Sequence, residues 1–145
     1  MKVRKIYLAG PLFTSAERLW NEQVATGLGE SGYDIFLPQE EEPEGGRTPK
    51  AIFAMDRNGV DWSDCVVAIM DGADPDSGTC WEVGYAYAKN KLILQIRTDF
   101  RTAGDTAFCP YNLMLSESAS GIRLLPFGTV KGVVATIVDF LKDYQ

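Results

Sequence analysis

Short apolar runs alternate along this chain with longer stretches whose apolar residues recur at helical spacing. Ile6-Tyr7-Leu8-Ala9 stops at Gly10-Pro11, the pattern of a buried strand entering a turn. From Ser15 to Gly32, Leu19, Trp20, Val24 and Leu28 share one helical face, with Ser15 placed to cap the start and Gly32 to end it. Tyr33 to Leu37 reads as a second strand, and the acidic stretch from Pro38 to Thr48, punctuated by Pro and Gly, as a loop. A second helix is expected from Pro49 to Asn58, with Gly59 beyond its end. Cys65 to Met70 is apolar without alternation, as in a strand buried on both faces of a parallel sheet. A loop from Asp71 to Gly78 precedes a helix from Thr79 to about Asn90, and Leu92 to Ile96 reads as strand four. A long irregular stretch, Arg97 to Gly121, leads to the apolar run Ile122 to Pro126 and a last helix from Thr129 to Tyr144. So long a loop in so small a chain suggests a lid or a subunit contact, and Phe108, Tyr111, Leu113, Met114 and Leu115 argue against plain disorder.

This alternation predicts an α/β fold, a doubly wound, flavodoxin-like five-stranded parallel sheet with helices on both faces. Ligands of such sheets bind beyond the carboxyl ends of the strands. With 145 residues and no repeat or linker, a single domain over 1–145 is expected. The net charge of -6 opposes capture of a phosphate backbone, so polymeric nucleic acid is not an expected partner. No apolar run approaches the roughly 20 residues that span a bilayer, so no membrane partner is expected either. Met1-Lys2-Val3-Arg4-Lys5 runs into the first strand without the apolar core of a signal peptide, which predicts a cytoplasmic protein. Cys65, Cys80 and Cys109 show no metal-ligand spacing and read as packing residues.

Composition narrows the chemistry further by an absence. The chain has no histidine, which removes Ser-His and Cys-His nucleophile pairs and most catalytic zinc sites. Acid-base work falls to carboxylates, and neither a metal nor a cofactor is called for. Three polar segments should meet at the sheet edge: Gly10 to Thr14, Asp56 to Asp61, and Asp71 to Glu82. Two carboxylates flanking one bond are what glycosyl transfer needs, one attacking the anomeric carbon and one protonating the leaving group. Glu82 then lies near a helix N-terminus that favours its ionised form. The spacing supports a plainer reading equally well. Thr79-x-x-Glu82 is also a capping box, Asp76 an ordinary turn residue and Asp56 a solvated charge near a helix end.

Four blocks together go beyond spacing. Tyr7-Leu8-Ala9-Gly10-Pro11-Leu12-Phe13, Asp56-Arg57-Asn58-Gly59, Asp76-Ser77-Gly78-Thr79-Cys80-Trp81-Glu82-Val83-Gly84-Tyr85-Ala86 and Tyr111-Asn112-Leu113-Met114 resemble the nucleoside 2-deoxyribosyltransferase family in order and spacing. The resemblance implies that Glu82 is a nucleophile forming a covalent 2-deoxyribosyl ester, oriented by Tyr7, while Asp56 helps protonate the departing base. It further implies that Asp76 binds the sugar hydroxyl end, that Gln39 touches the base, and that Gly10 and Gly78 border the substrate. Nucleosides and free nucleobases are the implied partners, with no cofactor. The implied assembly is a homo-oligomer, built on a dimer unit and extending up to a hexamer, in which a neighbouring subunit supplies Asn112 and Met114. Phe13, Trp62 and Met114 are candidates for the apolar lining that holds a planar base and disfavours water.

Two other readings compete. The 2-deoxynucleoside 5'-monophosphate N-glycosidases resemble the chain at the Glu82 block but carry a hydroxyl residue at the place of Asp76 and a basic residue in the first loop. A carboxylate at Asp76 repels a 5'-phosphate, and Gly10 to Thr14 holds no arginine to compensate, so transfer on a free nucleoside is favoured. A non-catalytic nucleotide-binding module is the other, and no Walker or GxGxxG motif supports it.

Overall fold

The strands buried on both faces come together as a sheet and force the helices to cover it. The computed structural model describes residues 2–144, so Met1 and Gln145 of the expected 1–145 domain lie outside the described residues. Strands β1 (Lys5–Ala9), β2 (Asp34–Phe36), β3 (Cys65–Ile69), β4 (Leu92–Arg97) and β5 (Gly121–Leu124) form one sheet in the order β2-β1-β3-β4-β5. Every neighbouring pair is parallel. This is the expected doubly wound α/β fold. Its order reverses between β1 and β3, and that switch point opens a crevice at the carboxyl ends of those two strands.

Alternate residues of each strand serve opposite layers. Ile6, Leu8, Val67, Ile69, Leu94 and Ile96 pack with Val24 and Leu28 of α1 (Ser15–Glu30) and with Val133 and Ile137 of α5 (Val130–Leu141). On the other face, Tyr7, Val66, Ala68 and Ile93 pack with Val60 of α2 (Pro49–Trp62), Val83 and Ala86 of α3 (Ser77–Ala88), and Tyr111. A short α4 (Leu113–Ser116) follows the long connection after β4. No helix among the described residues is long and apolar enough to cross a membrane.

Several expected boundaries move, each for a local reason. The cap of α1 is Thr14 rather than Ser15: its hydroxyl accepts from the Glu17 amide, and Glu17 reaches back to the Thr14 amide, a complete capping box. Helix α2 continues through Gly59 to Trp62. Gly59 is needed there for contact, because a Cβ would lie 2.6 Å from the Phe36 ring. Strand β4 includes Arg97, which is 1% exposed. Its guanidinium donates to the carbonyls of Met70, Gly72 and Arg101 and lies over the Tyr111 ring. An arginine that would read as the start of a loop thus pins the beginnings of two long connections to the sheet. The stretch after it is held by its own contacts, including a hydrogen bond donated by the Ala103 amide to the Pro110 carbonyl.

Candidate active site

Glu82 comes to the switch point because α3 starts at Ser77, two residues earlier than expected. Asp76 is the N-cap, its Oδ2 accepting from the Thr79 amide at 2.9 Å and the Thr79 hydroxyl at 3.2 Å. Thr79 is therefore inside the helix and Glu82 lies in its second turn. This overturns the Thr79-to-Glu82 capping box. The Glu82 carboxylate instead reaches across to the sheet, where Tyr7 Oη donates to its Oε1 at 2.6 Å. Tyr7 is fully buried in β1 and stacks on Phe36, ring centroids 5.3 Å apart. The close approach of Phe36 to Gly59 completes that support, so a glycine in α2 helps fix the hydroxyl that holds Glu82.

Asp56 shares the cleft wall with Glu82. It sits in the middle of α2, half-buried, with one carboxylate oxygen buried and without a hydrogen-bond partner among the described residues. It is not the solvated helix-end charge its position suggested. The rest of the Asp56-to-Asp61 segment does not join the site, since Asp61 pairs with Lys89 and accepts from Tyr85.

Burial dominates the electrostatics. It pushes the Glu82 carboxyl up to about 7; nearby Asp56 and Asp76 raise it further, and the Tyr7 hydrogen bond pulls it back. Burial likewise raises Asp56 to about 6. The expected lowering of Glu82 by the helix N-terminus is thus reversed: in the second turn that field has faded, and desolvation prevails. The Tyr7 phenol is held protonated, mainly by burial and then by the Glu82 charge. A carboxylate near pH 7 that keeps one oxygen on a phenol and the other uncommitted, beside a second raised carboxyl, can exchange nucleophilic and acidic states under neutral conditions.

These groups face a cleft of about 280 Å³ that includes Gly10, Phe13, Gln39, Asp56, Asp76, Gly78 and Glu82 in its wall, together with the aliphatic Leu12, Ile52 and Met55. Most of the expected site residues are therefore brought together. Gly78 leaves the Asp76 carboxylate uncrowded, since a Cβ there would sit 3.1 Å from Oδ2. A second opening of about 280 Å³, walled by Phe53 and Trp81, reaches the same Asp56 and Glu82. A larger groove of about 860 Å³ between α1 and α5 has only the exposed carboxylates Glu22 and Glu30 at its wall, so chemistry rather than size singles out the smaller cleft.

Three expected residues lie elsewhere. Trp62 stands at the far end of α2, tilted against Phe36 and beneath the Lys5 ammonium, and does not line the cleft. Asn112 caps α4, accepting from the Met114 amide and donating to Asp105, and Met114 is 74% exposed; neither reaches the cleft of its own chain. Conversely, Arg18 and Arg47 line the cleft although nothing in their local sequence marks them. One lies on the polar side of α1 and the other in the loop before α2, and only the β1–β2 pairing brings both beside Gln39. Cys65, Cys80 and Cys109 are free thiols.

Comparison with known proteins agrees with this geometry. The sequence model described as "nucleoside 2-deoxyribosyltransferase" matches residues 6–114. A search of curated protein sequences gives no match. Among solved structures, a 2-deoxyribosyltransferase from Bacillus psychrosaccharolyticus is 26% identical, with TM-score 0.67, 94% of this chain and 95% of that one being covered. A 2-deoxyribosyltransferase from Leishmania mexicana is 21% identical over 98% of this chain and 99% of that one, TM-score 0.72. A CMP N-glycosidase from Clostridium botulinum shares the fold at 17% identity and TM-score 0.66, over 94% of this chain and 99% of that one. With the family model covering most of the chain and the paired carboxyls at the sheet's switch point, this protein belongs to the nucleoside 2-deoxyribosyltransferase family, glycosyl-transferring enzymes of nucleosides and nucleobases.

Proposed function

We propose that the protein transfers a 2-deoxyribosyl group from one nucleobase to another through an ester on Glu82, with hydrolysis as a side reaction. The observation that carries this is the Glu82 carboxylate, held by Tyr7 at 2.6 Å through one oxygen only, opposite the raised carboxyl of Asp56. The free Glu82 oxygen attacks the anomeric carbon. The N-glycosidic bond breaks, its electron pair leaves with the base, and Asp56 supplies a proton to that base. A second base then attacks the same carbon from the vacated side, releases the carboxylate and returns a proton to Asp56. Two displacements give net retention. Asp76 holds the sugar hydroxyl end with the oxygen its cap does not use, and Phe13, Ile52 and Met55 enclose the base.

A site completed by a second subunit follows from the same reading. Asn112 and Met114 face away from their own cleft, while Phe53 and Trp81, 51% and 45% exposed, flank the second opening onto Glu82. A neighbouring chain covering that opening would exclude water and favour transfer over hydrolysis. The reading is tested by incubating the protein with 2'-deoxyinosine and adenine, and separately with deoxynucleoside monophosphates. Deoxyadenosine formed by the wild type and absent with Glu82→Ala supports transfer. Free base released from the monophosphates alone would establish the N-glycosidase reading, which the two cleft arginines keep in play.

A further inference from the structure

The cleft is electrically lopsided. Asp56 of α2 lines it with Asp76 and Glu82 at the start of α3, whereas Arg18 of α1 and Gln39, joined by hydrogen bonds, line it with Arg47 from the loop before α2. A sugar seated over Glu82 and Asp76 leaves the wall lined by Arg18, Gln39 and Arg47 for the base. What it meets there follows from which groups are already committed. Gln39 Nε2 donates to the Arg18 carbonyl at 2.9 Å, and its Oε1 accepts from Asn21 at 3.3 Å, so this amide is largely fixed within the fold. Arg47 is paired with Glu42 at 2.7 Å in a solvent-exposed ion pair, a weak and exchangeable contact. The side chain of Arg18 makes a single hydrogen bond among the described residues, a long one of 3.4 Å from Nη2 to the Gln39 carbonyl. Its other side-chain N–H groups have no partner among the described residues.

An arginine has donors only, in a planar fork, and cannot accept from an exocyclic amine. We propose that Arg18 is a specificity-determining residue that selects nucleobases carrying a carbonyl where adenine and cytosine carry an amine. This inference rests on the transfer reading above. The same positive charge favours departure of an oxo base, whose ring nitrogen takes up the electron pair of the broken bond and whose carbonyl spreads that charge toward the guanidinium. Arg47, when released from Glu42, adds to the field without the fixed fork geometry.

Calorimetric titration of the non-turning-over Glu82→Gln protein with 2'-deoxyinosine and 2'-deoxyadenosine reads the selection directly. A bidentate fork that discriminates between base edges is worth about tenfold or more in affinity, so deoxyinosine is expected to bind at least that much tighter. Adding Arg18→Met, which keeps an apolar stem on an exposed helix position, is expected to erase the difference by weakening deoxyinosine while deoxyadenosine changes by less than about twofold. Equal affinities for the two nucleosides before that change, or equal loss of both after it, would overturn the assignment while leaving transfer intact. So would tighter binding of 2'-deoxyinosine 5'-monophosphate that Arg18→Met alone removes, because Arg18 would then read a phosphate. Failure of either nucleoside to bind at all would remove the transfer reading along with the inference.

Discussion

Replacing Glu82 with glutamine should stabilise this protein and inactivate it, and the stabilisation should depend on pH in a defined direction. The folded state raises the Glu82 carboxyl from 4.5 to about 7, with burial as the leading cause. A group raised in the folded state favours folding while protonated, and that advantage disappears as pH climbs through its folded value. The loss therefore starts near the unfolded value of 4.5 and is complete above about 7. At about 1.4 kcal/mol for each pH unit, ionised Glu82 costs the fold about 3 kcal/mol at alkaline pH. Glutamine has the same shape, and its amide oxygen still accepts from the Tyr7 hydroxyl. The variant should match the wild type near pH 4 and gain steadily to a plateau above pH 7, where about 3 kcal/mol corresponds to roughly 10 °C in Tm for a chain of this length. Urea or thermal unfolding at pH 4, 5, 6, 7 and 8 measures the gap, and a turnover assay at pH 7 should show loss of at least about a thousandfold. A gap that is independent of pH, or a glutamine variant less stable than the wild type at pH 8, would refute the reasoning. Such a result would mean that the charge of Glu82 is welcome where it sits, as in a helix cap.

The paired carboxyls predict a bell-shaped pH dependence of kcat/KM with apparent values near 6 and 7, since the working state has Glu82 ionised and Asp56 protonated. Tyr7→Phe removes the hydrogen bond that lowers Glu82, so the falling limb should move to higher pH and the maximum should drop, because less of the singly protonated pair then carries its proton on Asp56. Unfolding and turnover should separate the two roles of Asp76: Asp76→Asn keeps the cap and stability within a few tenths of a kcal/mol, while Asp76→Ala loses about 1 kcal/mol. Both should raise KM. Gly59→Ala should destabilise by about 1–3 kcal/mol through overpacking against Phe36 and also reduce kcat, because the displaced ring is the one that supports Tyr7. Full activity in a destabilised Gly59→Ala protein would break the link from Gly59 to Glu82.

Much of the architecture was legible in the residues themselves. Double-sided burial leaves Ile6 to Ala9, Cys65 to Met70 and Leu92 to Ile96 no place but the interior of a parallel sheet, and the intervening helices follow from periodicity. The missing histidine and the four motif blocks pointed to carboxylate chemistry and to the family. Local pattern misjudged the environment of individual groups. Thr79-x-x-Glu82 looks like a cap because a four-residue window contains the cap chemistry but not Asp76, which takes the position first and turns Glu82 toward Tyr7. The raised carboxyls of Glu82 and Asp56 depend on how much water the packed layers exclude, a quantity no window of sequence contains. Trp62 was apolar enough for a base pocket, yet helix phase directs it against Phe36 instead. Arg18 and Arg47, 29 positions apart, stand at one cleft only because β2 pairs with β1 and sets Gln39 between them. Sequence determined which elements form and which reaction class they serve, because periodicity and residue chemistry are local. Tertiary structure decided which carboxyls are desolvated and which arginines line the cleft beside them, because desolvation and juxtaposition arise only when distant segments pack.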